Sequence, residues 1–223
     1  MERSNSYAPL IALSRVRIVA CLLAVGCAGE ASADPAASVV AITATGCRPT
    51  SNIARGVVVG DDLVATVAHA VAGEDEIVVR DRGGEERGGV VVAIDPELDA
   101  AVLRVEGLDP GAVDRRPHVD GEAVSLLTDD EQPIEVARRV TVRTSDIYGE
   151  GEHARPGLDI VADVRAGDSG APIVGDDGAV VALVWAASRR TDDRAWAVPI
   201  ESLAPLITAA TSAERAPPAA CSR

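Results

Sequence analysis

Short apolar runs alternate with polar, turn-rich segments along residues 39–198, and this pattern predicts β-strands. The runs are rich in valine, alanine, isoleucine and leucine, and glycine, proline or aspartate lies between them. Such spacing is typical of an all-β barrel or sandwich rather than of βαβ units. The charged segments 81–89 and 146–156 are predicted loops. The predicted strands are 39–43, 56–60, 63–66, 77–80, 90–94 and 101–105 in the first half, and 123–127, 136–143, 160–164, 172–174, 180–186 and 195–198 in the second.

A polar stretch at residues 107–117 separates these strands into two sets. It is rich in aspartate, proline, glycine and arginine, which is the composition of a linker. Because six strands are enough to close a barrel, we predict a first barrel over residues 34–116 and a second over residues 117–211. Residues 200–210 follow a proline and predict a short C-terminal helix. A tail over residues 212–223 follows.

The N-terminal residues 1–33 are predicted to be a targeting segment rather than part of the fold. Two arginines precede the apolar stretch 18–25, which is too short to cross a bilayer as a helix. An A-x-A site at residues 31–33 predicts release of the mature chain. The stretch 23–27 resembles a bacterial lipobox, which would instead end the leader before Cys27 and anchor that residue to a lipid. Either route predicts a secreted protein or one of the cell envelope or periplasm.

Composition limits both the partners and the core. The formal net charge is −14, which argues against nucleic-acid binding because that binding needs a basic face. Aromatic residues make up 2% of the chain and phenylalanine is absent, so small aliphatic side chains must fill the core.

Two of the four cysteines lie in the predicted leader, which leaves Cys47 and Cys221 near the two ends of the predicted domain. In an oxidising compartment such a pair predicts a disulfide, which would tie the tail to the first barrel. The alternative is two unpaired thiols.

The stretch 167–172, with the sequence Gly-Asp-Ser-Gly-Ala-Pro, places Ser169 in a tight turn before an apolar strand. Glycine permits unusual backbone angles, so the hydroxyl can stand clear and the neighbouring N–H groups can point at one spot. A nucleophilic serine needs this setting. The alternative is an ordinary surface turn.

Two further stretches favour the nucleophile. The apolar stretch 63–71 delivers His69 into a segment of small residues, and Asp99 opens a predicted strand within residues 94–105. The order histidine, aspartate, serine is that of the chymotrypsin-type triad and not that of subtilisins or α/β-hydrolases. Thr-Val-Ala-His, Asp-Ala-Ala-Val-Leu and Gly-Asp-Ser-Gly-Ala-Pro resemble the three catalytic motifs of trypsin-like serine proteases. The nearest likeness is to the bacterial HtrA-like and actinobacterial envelope branch.

The resemblance covers residues 39–206 and implies an all-β fold of two six-stranded antiparallel Greek-key barrels with a short C-terminal helix. It implies a monomeric serine endopeptidase that acts on protein or peptide substrates without a cofactor. The sequence offers no cluster of histidine and cysteine ligands, so no metal is expected. No segment that could form a PDZ domain follows, so we expect the peptide-binding module of full HtrA proteins to be absent.

The resemblance also assigns roles to single residues. Ser169 is the expected nucleophile, and His69 the base that takes its proton and later gives it to the leaving amine. Asp99 is expected to orient the imidazole, with Asp95 as the alternative aspartate. The backbone N–H groups of Gly167 and Ser169 are the expected oxyanion hole.

The substrate pocket carries two candidates. Asp163 lies six residues before the serine, where trypsin-like enzymes have the floor of the pocket for the P1 side chain, and aspartate there selects arginine or lysine. The alternative is a strand-end carboxylate in solvent. Trp185 lies in a stretch that resembles the strand lining the neighbouring subsites. For Asp168 we expect an internal ion-pair partner, either Arg165 or Arg55.

Two other functions remain open at this stage. One is a protease-fold binding or sensing protein whose site is latent or inactive, and the other is an esterase. The remaining histidines, His118 in the linker and His153 in a polar loop, are expected to be solvated surface residues.

Overall fold

The computed structural model describes Met1, residues 34–108 and residues 111–222. Residues 2–33, which hold the predicted leader and both of its cysteines, lie outside the described residues. The helices are α1 (Ala68–Val71) and α2 (Ala204–Ala210), and a 3-10 turn at Ile200–Leu203 precedes α2. The strands are β1 (Val39–Thr45), β2 (Asn52–Gly60), β3 (Leu63–Thr66), β4 (Glu76–Arg80), β5 (Glu86–Gly88), β6 (Val90–Asp95), β7 (Ala100–Arg104), β8 (Val124–Leu127), β9 (Glu131–Thr144), β10 (His153–Val161), β11 (Pro172–Gly175), β12 (Val180–Ala187) and β13 (Arg194–Pro199).

Two antiparallel β units are built from these strands. The first sheet contains β1 to β7 in the order β5-β4-β1-β2-β3-β7-β6, and the second barrel closes in the order β10-β13-β12-β11-β8-β9. The predicted all-β fold with two β units and a short C-terminal helix is confirmed. None of the described helices has the length and apolar character needed to cross a membrane.

The strand bounds differ from the prediction in several places. The predicted loop 81–89 contains the extra strand β5, so the first sheet has seven strands rather than six. Strands β2 and β9 begin earlier than predicted, at Asn52 and Glu131, and the strand predicted over 160–164 is instead β10, which begins at His153 within the predicted loop 146–156 and ends at Val161. Strand β5 and the first residues of β10 pair through backbone hydrogen bonds and contain no apolar run, so hydrophobic patterning does not reveal them.

One core cluster is shared by both units. Val57 and Leu63 of the first sheet pack with Leu183 and Val198 of the second barrel, and these side chains are at most 3% exposed. Each buried aliphatic side chain of this size contributes about 1.5–3 kcal/mol through the hydrophobic effect. The shared core fixes the loops of one unit against the loops of the other.

The tail beyond α2 returns to the first sheet. The Ala216 N–H donates to the Val91 carbonyl at 2.8 Å. The predicted disulfide between Cys47 and Cys221 is confirmed. The Ser222 hydroxyl donates to the carbonyl of His69 at 2.8 Å, so the tail contacts the backbone of a predicted site residue.

Candidate active site

His69 lies in the one-turn helix α1, which follows β3. Ala68 and Ala70 on either side are buried, and their small side chains let the helical turn pack closely against the first sheet. The imidazole itself is 36% exposed. The backbone of His69 is therefore fixed by core packing while its ring is open to a reactant.

Asp99 lies in the turn between β6 and β7 and is 5% exposed. Its φ of 59° is in the left-handed region, which aspartate tolerates better than most residues. Oδ1 accepts the backbone N–H of His69 at 2.9 Å, and Oδ2 lies 2.9 Å from His69 Nδ1. With Nδ1 as donor, Nε2 is left as a proton acceptor. Asp95 instead closes the turn, where its Oδ1 accepts the N–H groups of Glu97 and Leu98 at 3.0 and 2.9 Å.

Ser169 lies in the loop between β10 and β11. Asp168 and Arg165 tie this loop together, since the Asp168 N–H donates to the Arg165 carbonyl at 3.0 Å and the Arg165 N–H donates to Asp168 Oδ2 at 2.9 Å. Gly167 has a φ of 100°. Among the described residues, the N–H groups of Gly167 and Ser169 have no acceptor. Both N–H groups are therefore available to an acceptor.

Arg55 in β2 holds the Ser169 loop against the first sheet. Its N–H donates to the Ser169 carbonyl at 2.8 Å, and its carbonyl accepts the Thr66 hydroxyl at 2.6 Å. Gly170 has a φ of 86°, and its N–H donates to the Val184 carbonyl at 2.6 Å. A Cβ on Gly170 would overlap the Arg55 carbonyl oxygen and lie 2.7 Å from the Thr66 hydroxyl oxygen. Glycine is required for this close approach.

The described hydrogen bonds of His69 connect it to Asp99 and Ser222, and none joins its ring to the Ser169 hydroxyl. In enzymes without substrate this contact is often long and tightens when substrate binds. The backbone contacts of Arg55 join the Ser169 loop to Thr66 in β3, the strand that precedes α1.

Of the two ion-pair partners expected for Asp168, the structure shows Arg55. Arg55 Nε lies 3.4 Å from Asp168 Oδ1, whereas Arg165 contributes its backbone N–H. The Arg55 guanidinium also donates two hydrogen bonds, of 3.0 and 2.9 Å, to the Asp129 carboxylate. Burial would lower the pKa of Arg55, but the hydrogen bonds and charges of Asp129 and Asp168 raise it above its ordinary value. Arg55 thus links the β8–β9 turn to the Ser169 loop.

Asp163 and Trp185 lie on different elements. The Asp163 carboxylate is 59% exposed and pairs with Arg165 Nη2 at 2.6 Å. Trp185 in β12 packs against core clusters of the domain. The centroid of its ring lies 6.2 Å from that of Trp196 and 4.6 Å from Cζ of Arg155. Arg155 was not among the predicted site residues, because an arginine in a polar segment ordinarily points into solvent.

The expectation that both remaining histidines are solvated is wrong for His118, which is 4% exposed. Arg116 and Glu122, on either side of it in sequence, form an ion pair of 2.7 Å. His153 is half-buried, with Nδ1 3.1 Å from Glu97 Oε2. No group of three or more histidine, cysteine, aspartate or glutamate side chains suited to a metal occurs in the part of the chain that the structure describes.

The architecture defines the class of chymotrypsin-like proteins, with histidine, aspartate and serine where the two β units meet. The model of the trypsin-like peptidase domain matches residues 54–183, which is more than half of the chain. The chain belongs to this family.

Known proteins extend this result. The chain is 32% identical over 142 residues to serine protease Rv3671c of Mycobacterium tuberculosis, which covers 60% of this chain and 36% of that protein. The crystal structure of the active form of the Rv3671c protease matches with a TM-score of 0.76 and 26% identity, over 97% of this chain and 100% of that one. The HtrA-type protease AlgW shares the fold, with a TM-score of 0.58 and 19% identity over 79% of this chain and 61% of that one. The chain thus spans little more than a third of its curated relative.

Proposed function

We propose that the chain is a serine endopeptidase that hydrolyses peptide bonds through an acyl-enzyme. The observation that carries this proposal is the double hydrogen bond between Asp99 and His69. It leaves Nε2 of the imidazole as a base, on the side of the fold where Arg55 holds the Ser169 loop. Family membership supports peptide substrates.

In this mechanism His69 takes the hydroxyl proton of Ser169 while the serine oxygen attacks the peptide carbonyl carbon. The carbonyl oxygen becomes negative and receives hydrogen bonds from the N–H groups of Gly167 and Ser169, one such donor being worth about 3–4 kcal/mol. His69 then gives the proton to the leaving amine, and water attacks the acyl ester by the same route. Asp99 keeps the imidazole oriented and stabilises its positive form.

We propose that Asp163 and Trp185 contribute to the substrate cleft. Asp163 borders a surface cavity of about 410 Å³, which is also lined by Ala166 and Asp168 on either side of Gly167. The carboxylate favours a basic P1 side chain, which would have to displace Arg165. Replacing Asp163 by asparagine should lower kcat/KM for a peptide with arginine at P1 and leave a peptide with alanine at P1 unchanged. Equal losses in kcat/KM for the two peptides would show that Asp163 does not select the P1 side chain.

We propose that residues 1–33 are a leader and that the domain, with barrels over residues 34–116 and 117–211, is secreted or held in the cell envelope. The disulfide supports this location, because disulfides persist in oxidising compartments. Mass spectrometry of the mature N-terminus distinguishes release at Asp34 from a lipid anchor at Cys27. We also propose a monomer, which light scattering of the purified domain tests.

The deciding experiment is labelling of the purified domain with a fluorophosphonate beside the Ser169→Ala variant. We expect labelling of the wild type, no labelling of the variant, and cleavage of peptide amides. By analogy with another serine protease, kcat should fall by roughly 10⁶-fold in the variant. Turnover of esters without amides would identify an esterase instead.

One observation favours a second candidate, a protease-fold protein with a latent site. The Asp163 carboxylate, the proposed contact for a P1 cation, already pairs with Arg165 Nη2 at 2.6 Å. A folded wild-type domain that resists the fluorophosphonate would favour this candidate.

A further inference from the structure

A buried arginine lies behind the candidate triad. Arg155 in β10 of the second barrel is 3% exposed, and its Nε donates to the Glu97 carbonyl at 2.9 Å. Its Nη1 lies 3.7 Å from Asp99 Oδ2, the same oxygen that faces His69 Nδ1. Its guanidinium lies over the ring of Trp185. One side chain therefore connects the Asp99 turn of the first sheet with a strand of the second barrel.

Burying the charge of Arg155 costs free energy, and nearby carboxylates offset part of this cost. Burial lowers the pKa of its guanidinium, and the negative charges of Asp99, Asp95 and Asp146 oppose that shift. An apolar side chain would fill the same space without the cost of removing a cation from water. The Arg155 guanidinium is thus held next to the Asp99 carboxylate, which is the nearest of these charges that also contacts His69.

The β9–β10 hairpin brings Arg155 to this position. Near its tip the Ile147 N–H donates to the Pro96 carbonyl at 3.2 Å, and His153 Nδ1 lies 3.1 Å from Glu97 Oε2. The titratable and charged groups around Asp99 and His69 are Asp95 and Glu97 from the turn and Asp146, His153 and Arg155 from the hairpin.

We propose that Arg155 is a positioning residue for the triad, which holds the Asp99 carboxylate towards His69 and offsets its negative charge. This inference rests on the proposed function of the same site. Asp99 favours the charged imidazolium, and a nearby cation opposes it. Because Asp99 Oδ2 faces both groups, removing the charge of Arg155 should strengthen the attraction of Asp99 for a proton on His69.

The test compares Arg155→Met, which removes the charge, with Arg155→Lys, which keeps it and loses the planar fork. In Arg155→Met the acidic limb of the pH profile of kcat/KM should move to higher pH by on the order of one unit. In Arg155→Lys the limb should stay in place while kcat falls. Arg143→Met is the matched control, because Arg143 is an exposed arginine on the same hairpin that pairs with Glu152.

The titration of the His69 ring by NMR in the Ser169→Ala background gives the same reading without catalysis. Its midpoint should rise in Arg155→Met and stay in place in Arg155→Lys and Arg143→Met. An unmoved midpoint in folded Arg155→Met overturns the role of Arg155, whatever the labelling experiment says about the proposed function. If the methionine variant does not fold, Arg155→Gln replaces it with the same expected shift. A shift of equal size in Arg143→Met would assign the effect to general charge and would also overturn the proposal.

Discussion

Gly170 and Gly84 form a matched pair that tests how the Ser169 loop is seated. Their φ values are 86° and 88°, so an alanine at either position adopts the same left-handed conformation. A Cβ at Gly84 has no atom within 4 Å, whereas a Cβ at Gly170 overlaps the Arg55 carbonyl oxygen and closely approaches the Thr66 hydroxyl. The two alanine variants therefore differ in whether the added Cβ overlaps neighbouring atoms.

The left-handed conformation costs about 1–2 kcal/mol in each variant. In Gly170→Ala the overlap adds about 1–3 kcal/mol, as in other overpacked sites. Movement of β2 away from the loop also breaks the hydrogen bonds of Arg55 with Ser169 and Thr66, at about 1 kcal/mol each. We expect losses in the free energy of unfolding of about 4–7 kcal/mol for Gly170→Ala and about 1–2 kcal/mol for Gly84→Ala.

Urea unfolding followed by tryptophan fluorescence measures these losses, because Trp185 and Trp196 lie within the domain. The rate of fluorophosphonate labelling should fall on the order of 100-fold in Gly170→Ala, since a displacement of about 1 Å has this effect on a reacting geometry. Equal unfolding free energies for the two variants, or equal labelling rates, would refute the argument that glycine is needed for the approach of the loop to Arg55.

Three further outcomes are expected. Replacing Cys47 and Cys221 together by serine should lower the free energy of unfolding by about 4–5 kcal/mol in the chain-entropy model, because the bridge closes a separation of 174 residues; a loss below about 1 kcal/mol in urea titrations would contradict it. The hydrogen bond from Arg116 lowers the pKa of Glu122 from its ordinary 4.5. The interaction therefore stabilises the fold above pH 4.5, and this stabilisation is lost as the pH falls through the lowered pKa. In Glu122→Gln the free energy of unfolding should depend less on pH in this acidic range. Ile160→Ala should cost about 2–5 kcal/mol in equilibrium unfolding because Ile160 is 0% exposed; a cost below about 1 kcal/mol would mean that the core closes over the cavity.

The parts of the fold that could be predicted from the sequence carry a local signal. The apolar runs predict most strands, because a strand with one buried face must place aliphatic side chains there. The segments around His69 and Ser169 can likewise be recognised from neighbouring residues alone. Small residues allow the helical turn at His69 to pack closely, and glycines allow the tight loop at Ser169. Asp95 also has a local role, because its side chain accepts the N–H groups of the residues that follow it in the turn.

The parts that could not be predicted depend on distant contacts. Strand β5 and the outer part of the β9–β10 hairpin carry polar side chains, and only their backbone pairing makes them strands. His118 is 4% exposed although its segment has the composition of a linker. Arg155 contacts Asp99 and Trp185 from another part of the chain, which no pattern along one segment can indicate.

The packing of residues 216–222 against the first sheet has a consequence for biosynthesis. A polypeptide emerges from its N-terminal side, so β1 to β7 are made early, but Cys221 and Ser222 arrive more than a hundred residues after β7. The contact of Ser222 with the His69 backbone and the bridge to Cys47 must therefore form after the second barrel has been synthesised. Until then α1 lacks both its contact with Ser222 and the nearby covalent bridge, so the first sheet acquires these constraints only after β8 to β13 have been made.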